Sequence, residues 1–463
     1  MLRESEHILP PLAQLLTEGG DARIIPDALT GRNRYGCTAL PQPDVLAFGS
    51  CTASPPGTLA WQATDRWRTA LTAHFVDASP ETVRVAETTR MMQQFIHLLG
   101  FHHDEAAVRL VASGTDAHRL AVTLFAHTPL RVIMMATHET GSGVPAALQP
   151  VIGSVDVISL READASLRPV QAVDWEVEQA VRSAVQAGEQ VLLVAIDGSK
   201  TGLIAPSLPL MKRLQAEWGD TVTVLVDGSQ FRLAPATIRR YVQSGWLVAL
   251  TGSKFMAGPS FSGALLGNAT LLSRLPMDVP TFGVLARWHA ALFEMTAFFA
   301  LDEKMLASGL HHLNRKILAP MQKSTFLALL SGNLPEYGAG GRAESWDGMP
   351  TIFPFLLRDA YSGQPLSFRW VSDCYRQLQQ PDATGQQPVL LGQPVICGTA
   401  PDGEPLAALR LCLSAPLLVT VMQEGFDGLL DDVARVLGYI EAWGKKTGIR
   451  RCPEYRMEDE DRT

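Results

Sequence analysis

The sequence predicts an α/β fold: a mostly parallel, doubly wound sheet in a large domain, joined to a smaller α+β domain. Three observations carry this. The chain has 463 residues, 46% of them hydrophobic, which is too long for one small core and apolar enough to bury a large one. Its middle alternates short, uniformly apolar runs with amphipathic helical patterns. Its two flanks lack that alternation.

Taken in order, the first apolar run, Val108–Ala112, leads into a helical pattern over Ala117–Phe125, and Val132–Ala136 follows. Next come Val155–Leu160 with a helix over Trp175–Ala187, Val191–Ile196 with Leu208–Trp218, Val222–Val226 with Ala236–Gln243, and Leu247–Leu250. Strands apolar on both faces and separated by helices read as parallel strands covered on both sides. Residues 85–300 are therefore expected to form the large domain. Ala286–Leu310 reads as one long helix, because Trp288, Leu292, Met295 and Phe299 recur at helical spacing. That stripe is the core-facing side of a helix before it is anything else.

Residues 1–84 are rich in Pro, Gly and Thr and carry few periodic segments. Residues 301–463 hold strand-like runs at Thr351–Leu357, Val395–Cys397 and Ala407–Leu413, with helices at Phe368–Leu378 and Leu429–Trp443. The two ends are expected to pack together as the small domain. Gln379–Gln387 reads as a polar loop and Met457–Thr463 as a frayed, charged tail.

Composition removes several function classes. The 39 Lys and Arg against 47 Asp and Glu give a formal charge of -8, which offers no basic field for nucleic acid or an anionic membrane. The first residues, Met-Leu-Arg-Glu-Ser-Glu-His, lack the basic start and apolar run of an export signal, and no stretch reaches the apolar length of a membrane span. The six cysteines, at 37, 51, 374, 397, 412 and 452, form no CxxC pair and no metal-ligand spacing. The expectation is a reduced, cytoplasmic enzyme with a small-molecule substrate and no metal.

Four motifs fall at predicted strand ends, where ligands gather in open α/β sheets. Ser113-Gly114-Thr115-Asp116 closes the first strand and opens a helix, so its free backbone N–H groups and the helix dipole favour a phosphate, although the same residues also make an ordinary turn and N-cap. Asp197-Gly198-Ser199-Lys200-Thr201-Gly202 ends the strand Val191–Ile196. Val226-Asp227-Gly228-Ser229-Gln230 ends a buried strand with a carboxylate suited to a pyridinium nitrogen, a turn cap or a divalent ion. Thr251-Gly252-Ser253-Lys254 ends the next strand and runs on through Gly258-Pro259. A desolvated lysine there has a lowered pKa and forms an imine with an aldehyde. Lys200 is the rival lysine, but it lacks the preceding Asp and the Gly-Pro element.

In this order the motifs resemble the class V aminotransferases and cysteine desulfurases, a family of the fold-type I pyridoxal 5'-phosphate (PLP) enzymes. The resemblance covers residues 85–300 well and the rest thinly. It implies that Gly114 and Thr115 hold the cofactor phosphate with Asp116 in the same cofactor-binding turn, that Asp227 meets the pyridine nitrogen and Gln230 the ring oxygen, and that Thr251 and Ser253 add phosphate contacts. It also implies that Lys254 is the Schiff-base lysine, that His138 stacks on the ring, and that Arg410 binds the substrate carboxylate. Two positions depart from the family pattern. Ser253 stands where desulfurases carry His, and Ser199 where the family carries an Asn that touches cofactor or substrate.

The activity this implies is transamination of a free amino acid by a homodimer, with Lys254 as the base at Cα. A PLP-dependent lyase is the alternative within that chemistry, and a non-catalytic α/β binding protein the alternative outside it. Desulfuration needs a nucleophilic cysteine on a loop over the site. The glycine-rich segment 332–348 has none, Cys374 falls in a helix and Cys397 and Cys412 in apolar strands. Cys51, in the loop Gly49–Ser54, is left without a role. Specificity is expected to lie in the loops 49–57, 137–145 and 332–350 and in the small domain.

Overall fold

A computed structural model describes residues 9–102, 104–150, 152–330, 342, 344–359, 361–381, 385–400 and 403–447. The expected tail Met457–Thr463, Cys452 and most of the segment 332–348 lie outside the described residues.

Within them the chain forms two sheets. The larger holds β2 (Ala106–Val111), β3 (Leu130–Met135), β4 (Gly153–Ile158), β5 (Gln190–Asp197), the short β6 (Ile204–Ala205), β7 (Val222–Gly228), β8 (Leu247–Thr251) and β9 (Gly263–Asn268), in the order β2-β9-β8-β7-β5-β3-β4 with β6 beside β5. From β8 to β4 the long strands pair in parallel, and β9 runs antiparallel between β2 and β8. This is the predicted doubly wound sheet, and alternation along each strand explains it. Ile133, Leu193 and Val224 face one layer, with Val177 of the helix Val170–Gln186 and Leu214 of Leu208–Trp218. Val132, Leu192 and Leu225 face the other, with Ala117 and Ala121 of the helix Gly114–Val122. Each such Val or Leu buried contributes about 1.5–3 kcal/mol.

The smaller sheet has the order β1-β12-β13-β11-β10. Its strands are β1 (Leu46–Phe48), β10 (Leu327–Leu329), β11 (Ile352–Leu357), β12 (Val389–Thr399) and β13 (Pro405–Cys412). β1 pairs in parallel with β12, and the rest are antiparallel. The N-terminal residues therefore supply one edge of a sheet otherwise built from the C-terminal third.

Three expectations are corrected. The helix drawn over Ala286–Leu310 is two helices, Phe282–Phe299 and Glu303–Lys323, meeting at 93°. The break follows from Asp302, whose carboxylate caps the second helix by accepting the Met305 N–H at 2.8 Å. The N-terminal flank is more helical than its composition suggested, with Thr58–His74 and Pro80–Leu98. The first of these buries only Ala60, Thr64 and Leu71, so it shows almost no hydrophobic period to read. The strand read at Val395–Cys397 extends over Val389–Thr399, with register shifts that break its alternation.

Candidate active site

A cavity of about 250 Å³ lies at the C-terminal ends of β5, β7 and β8, under Gln393 to Val395 of β12 and Arg410 of β13. Every strand-end motif contributes to it.

Lys254 lines the cavity in the tight turn that follows β8. The turn is held by close packing: a Cβ on Gly252 or Gly258 would come within 2.6 or 2.7 Å of the Ala291 Cβ, and the Gly258 N–H bonds the Gly252 carbonyl at 2.8 Å. The loop before the helix Thr58–His74 clamps it from outside. Ser54 donates its N–H to the Ser253 carbonyl at 3.2 Å and its hydroxyl to the Lys254 carbonyl at 3.0 Å. Burial pushes the Lys254 amine below its ordinary pKa, against the opposing pull of Asp227 and Cys51.

Asp227 is buried, and burial alone would raise its pKa. His118, Ser229 and Lys254 outweigh that and hold the carboxyl well below the usual range. Ser229 donates both its N–H, at 3.0 Å, and its hydroxyl, at 2.5 Å, to one carboxylate oxygen. The His118 Nε2 stands 3.5 Å from the other, and its Nδ1 lies 2.7 Å from the Gly114 carbonyl. Sequence reasoning missed His118. The available signal was its place four residues after Gly114, one turn into the helix that opens on the cavity.

Gly114 and Thr115 sit at that helix start and line the cavity. Ser113 takes the next two N–H groups, accepting from Asp116 through its hydroxyl and from Ala117 through its carbonyl, which leaves those of Gly114 and Thr115 for an anion. The approach at Gly114 requires glycine, since a Cβ would meet the Thr251 Cγ2 at 2.9 Å and the Ser229 Oγ at 3.2 Å. Ser253 lines the same wall.

Several expected contacts are corrected. Asp116 does not face the cavity: its carboxylate accepts from Ser113 at 2.7 Å and from Arg119 at 2.6 Å, completing the helix cap. Thr251 lines the cavity but gives its proton to the Ser229 carbonyl at 2.7 Å, so it can accept there and not donate. Gln230 donates to the Cys51 carbonyl at 2.9 Å and leaves its own oxygen unpaired, so it is tied to the Cys51 loop before any ring oxygen. His138 is exposed and lies off the cavity, whose wall there is Thr140, Gly141, Gly143 and Val144.

The residue after His138 matters instead. Glu139 is buried against Arg161 at 2.7 Å and accepts the hydroxyls of Ser199 at 2.6 Å and Thr201 at 2.7 Å. The Ser199 hydroxyl also accepts the N–H groups of Thr201 and Leu203, so it shapes the Asp197–Gly202 turn and is not free for a ligand. That turn delivers Lys200 to the cavity. The Lys200 amine bonds the Thr137 carbonyl at 2.8 Å, and burial, with Arg410 and Lys254 nearby, pushes its pKa down to about 8.

Arg410 is buried and lines the cavity as expected. Its guanidinium donates to the Lys200 carbonyl at 3.2 Å, the Thr52 hydroxyl at 3.1 Å and the Gln393 carbonyl at 2.6 Å, while Nε has no acceptor. Beside it is Cys51, whose sulfur would lie 2.3 Å from a Cβ on Gly392. Burial raises the Cys51 thiol, but Cys412, Arg410, Arg232 and Lys254 outweigh it and bring the pKa down to about 6. Cys412 is pushed well up and Cys397 up to about 12, both chiefly by burial, consistent with inert thiols. Among the described residues, no group of three His, Cys, Asp or Glu side chains is placed to hold a metal ion.

No protein-family model matches the chain. Solved structures do. A NifS-like protein from Rickettsia africae superposes with a TM-score of 0.56 at 10% identity, over 87% of this chain and 99% of that one. The chain has the fold of the type I PLP-dependent enzymes. The cysteine desulfurase of Thermococcus onnurineus gives 0.56 at 11% identity, over 87% and 95% of the two chains. The Oryza sativa TDC, solved with PLP and tryptamine, gives 0.56 at 12%, over 88% and 84%. At such identities the likeness is one of fold.

Proposed function

We propose that this chain is a PLP-dependent enzyme acting on a free amino acid, with transamination as its reaction. The observation that carries the reading is the cavity itself, which gathers a buried lysine, a carboxylate held anionic, a helix start with two uncommitted N–H groups and an arginine without a carboxylate partner among the described residues. Residues from both sheets and the N-terminal loop contribute. The set fits PLP: Gly114, Thr115 and Ser253 would hold the phosphate, Asp227 the pyridine nitrogen and Lys254 the aldehyde carbon. Bound there, PLP supplies an electron sink for charge developing at the substrate Cα.

The chain's own residues do the rest. Asp227, kept ionised by Ser229 and His118, presents negative charge to a ring nitrogen. The Lys254 amine, its basicity lowered by burial, is the group positioned to move the Cα proton. Arg410, which lines the cavity without a carboxylate partner among the described residues, is the cation offered to the α-carboxylate. The reading carries with it a cytoplasmic homodimer, whose dimeric state a sizing column tests.

A second reading rests on Cys51. A thiol with a pKa near 6, beside Lys254, suits a lyase that eliminates a β- or γ-substituent or passes sulfur to a cysteine. Incubation with single amino acids separates the two. Transamination predicts stoichiometric amination of the cofactor with release of a keto acid. Ammonia or sulfide released with the cofactor unchanged favours the lyase, and no turnover with any amino acid overturns both.

A further inference from the structure

The cavity holds more positive charge than one α-carboxylate explains. Four Lys and Arg side chains line it: Arg23 is paired with Asp21 at 2.5 Å, while Lys254, Lys200 and Arg410 gather on the inner wall, where Arg410 lowers the pKa of both lysines. The carboxylates within reach are already committed. Glu139 is bound to Arg161 and two hydroxyls, and Asp227 is bound to Ser229 and faces His118. Arg410 has the carbonyls of Lys200 and Gln393, the Thr52 hydroxyl and the acidic Cys51 thiol beside it, whereas the Lys200 amine bonds only the neutral Thr137 carbonyl. Charges buried without a counter-charge are costly, and an anionic ligand relieves them.

The two cations are also fixed relative to each other. Arg410 bonds the Lys200 carbonyl, and the Lys200 N–H bonds the Glu139 carbonyl at 2.9 Å, so β13, the Asp197–Gly202 turn and the loop after β3 form one wall. Sequence reasoning weighed Lys200 only as a rival for the imine. The structure gives it a different place, on the same wall as the carboxylate-binding arginine.

We propose that Lys200 is a specificity residue that binds a second anionic group on the substrate, making the preferred substrate an amino acid with a carboxylate on its side chain. This rests on the amino-acid reading above, with the α-carboxylate on Arg410 and the side-chain carboxylate on Lys200. A lysine serves here as a point charge, able to meet a carboxylate at more than one chain length.

Calorimetry tests this on the purified full-length protein without turnover, using succinate, glutarate and butyrate as probes. Succinate or glutarate is expected to bind at least tenfold more tightly than butyrate. Lys200→Met is expected to weaken the dicarboxylate at least tenfold more than butyrate, and Lys200→Arg to retain most of the preference. Equal affinity for mono- and dicarboxylates in the unsubstituted protein overturns the proposal, as does a Lys200→Met protein that loses both probes equally, which would make Lys200 only a tether to Thr137. Should Lys200→Met not fold, the unsubstituted comparison and Lys200→Arg decide. Failure to trap a cofactor on Lys254 would overturn the PLP reading while leaving the dicarboxylate preference to be decided by calorimetry.

Discussion

Replacing Glu139 with Gln isolates the contact that holds the Lys200 turn in place. Glu139 and Arg161 are each only 2% exposed in their side chains and pair at 2.7 Å. The other carboxylate oxygen accepts the hydroxyls of Ser199 and Thr201 and lies 3.3 Å from the Thr201 N–H. A glutamine keeps one acceptor and turns an NH₂ toward one side of this set. Ser199 cannot simply turn round to accept from it, because its oxygen already receives two backbone N–H groups. Removing one partner of a buried pair costs about 3–5 kcal/mol, and the retained acceptor places Glu139→Gln near the lower end, at about 3 kcal/mol. Guanidinium unfolding of the single variant, of Arg161→Met and of the double variant measures it. The double variant is expected to lose clearly less than the sum of the singles, since it removes both charges together. A Glu139→Gln protein within about 0.5 kcal/mol of the unsubstituted one, the range of an ordinary surface change, would refute the reasoning. So would strict additivity.

Two further outcomes follow from buried titrating groups. Glu294 is pushed up to about 7 by burial in the helix Phe282–Phe299, from an ordinary value of 4.5. The unfolded chain therefore ionises first as pH rises, and the protein loses about 3 kcal/mol between pH 4 and 8 on this account. Glu294→Gln is expected to stabilise at pH 8 and to be nearly neutral at pH 4, so equal effects at the two pH values in unfolding curves would contradict it. Burial lowers His118, and Asp227 more than compensates, so its net pKa is raised. In Asp227→Asn burial and the Lys254 charge remain, opposed only by the Gly114 carbonyl, and the His118 titration followed by NMR is expected to move down from above the ordinary histidine value; an unmoved midpoint would show that the 3.5 Å approach carries no coupling.

Much of this was legible because period and position are local signals. The strands of the large sheet announce themselves as apolar runs, and the motif order Gly114-Thr115, Asp227, Lys254 places three groups at one end of that sheet, where β2, β7 and β8 finish. What the sequence did not reveal depends on which partner each polar atom finds. Asp116, Thr251 and Ser199 have the right residue types, but Arg119, the Ser229 carbonyl and Glu139 claim them first. His138 and Glu139 are adjacent in sequence and face opposite ways, a choice made by the buried Arg161 across the fold. Cys51 could not be assigned because its pKa depends on Arg410, Arg232 and Lys254, each more than 150 residues away along the chain. The helix Thr58–His74 escaped because it buries too little to show a period.

The central claim is that Lys254, and not the neighbouring buried amine of Lys200, carries the cofactor. Incubation of the protein with PLP, reduction with borohydride and peptide mapping by mass spectrometry test it directly. The adduct mass is expected on the peptide containing Lys254, absent from Lys254→Ala and unchanged in position in Lys200→Met. A protein that stays colourless with PLP and yields no adduct, or an adduct on Lys200, would contradict it.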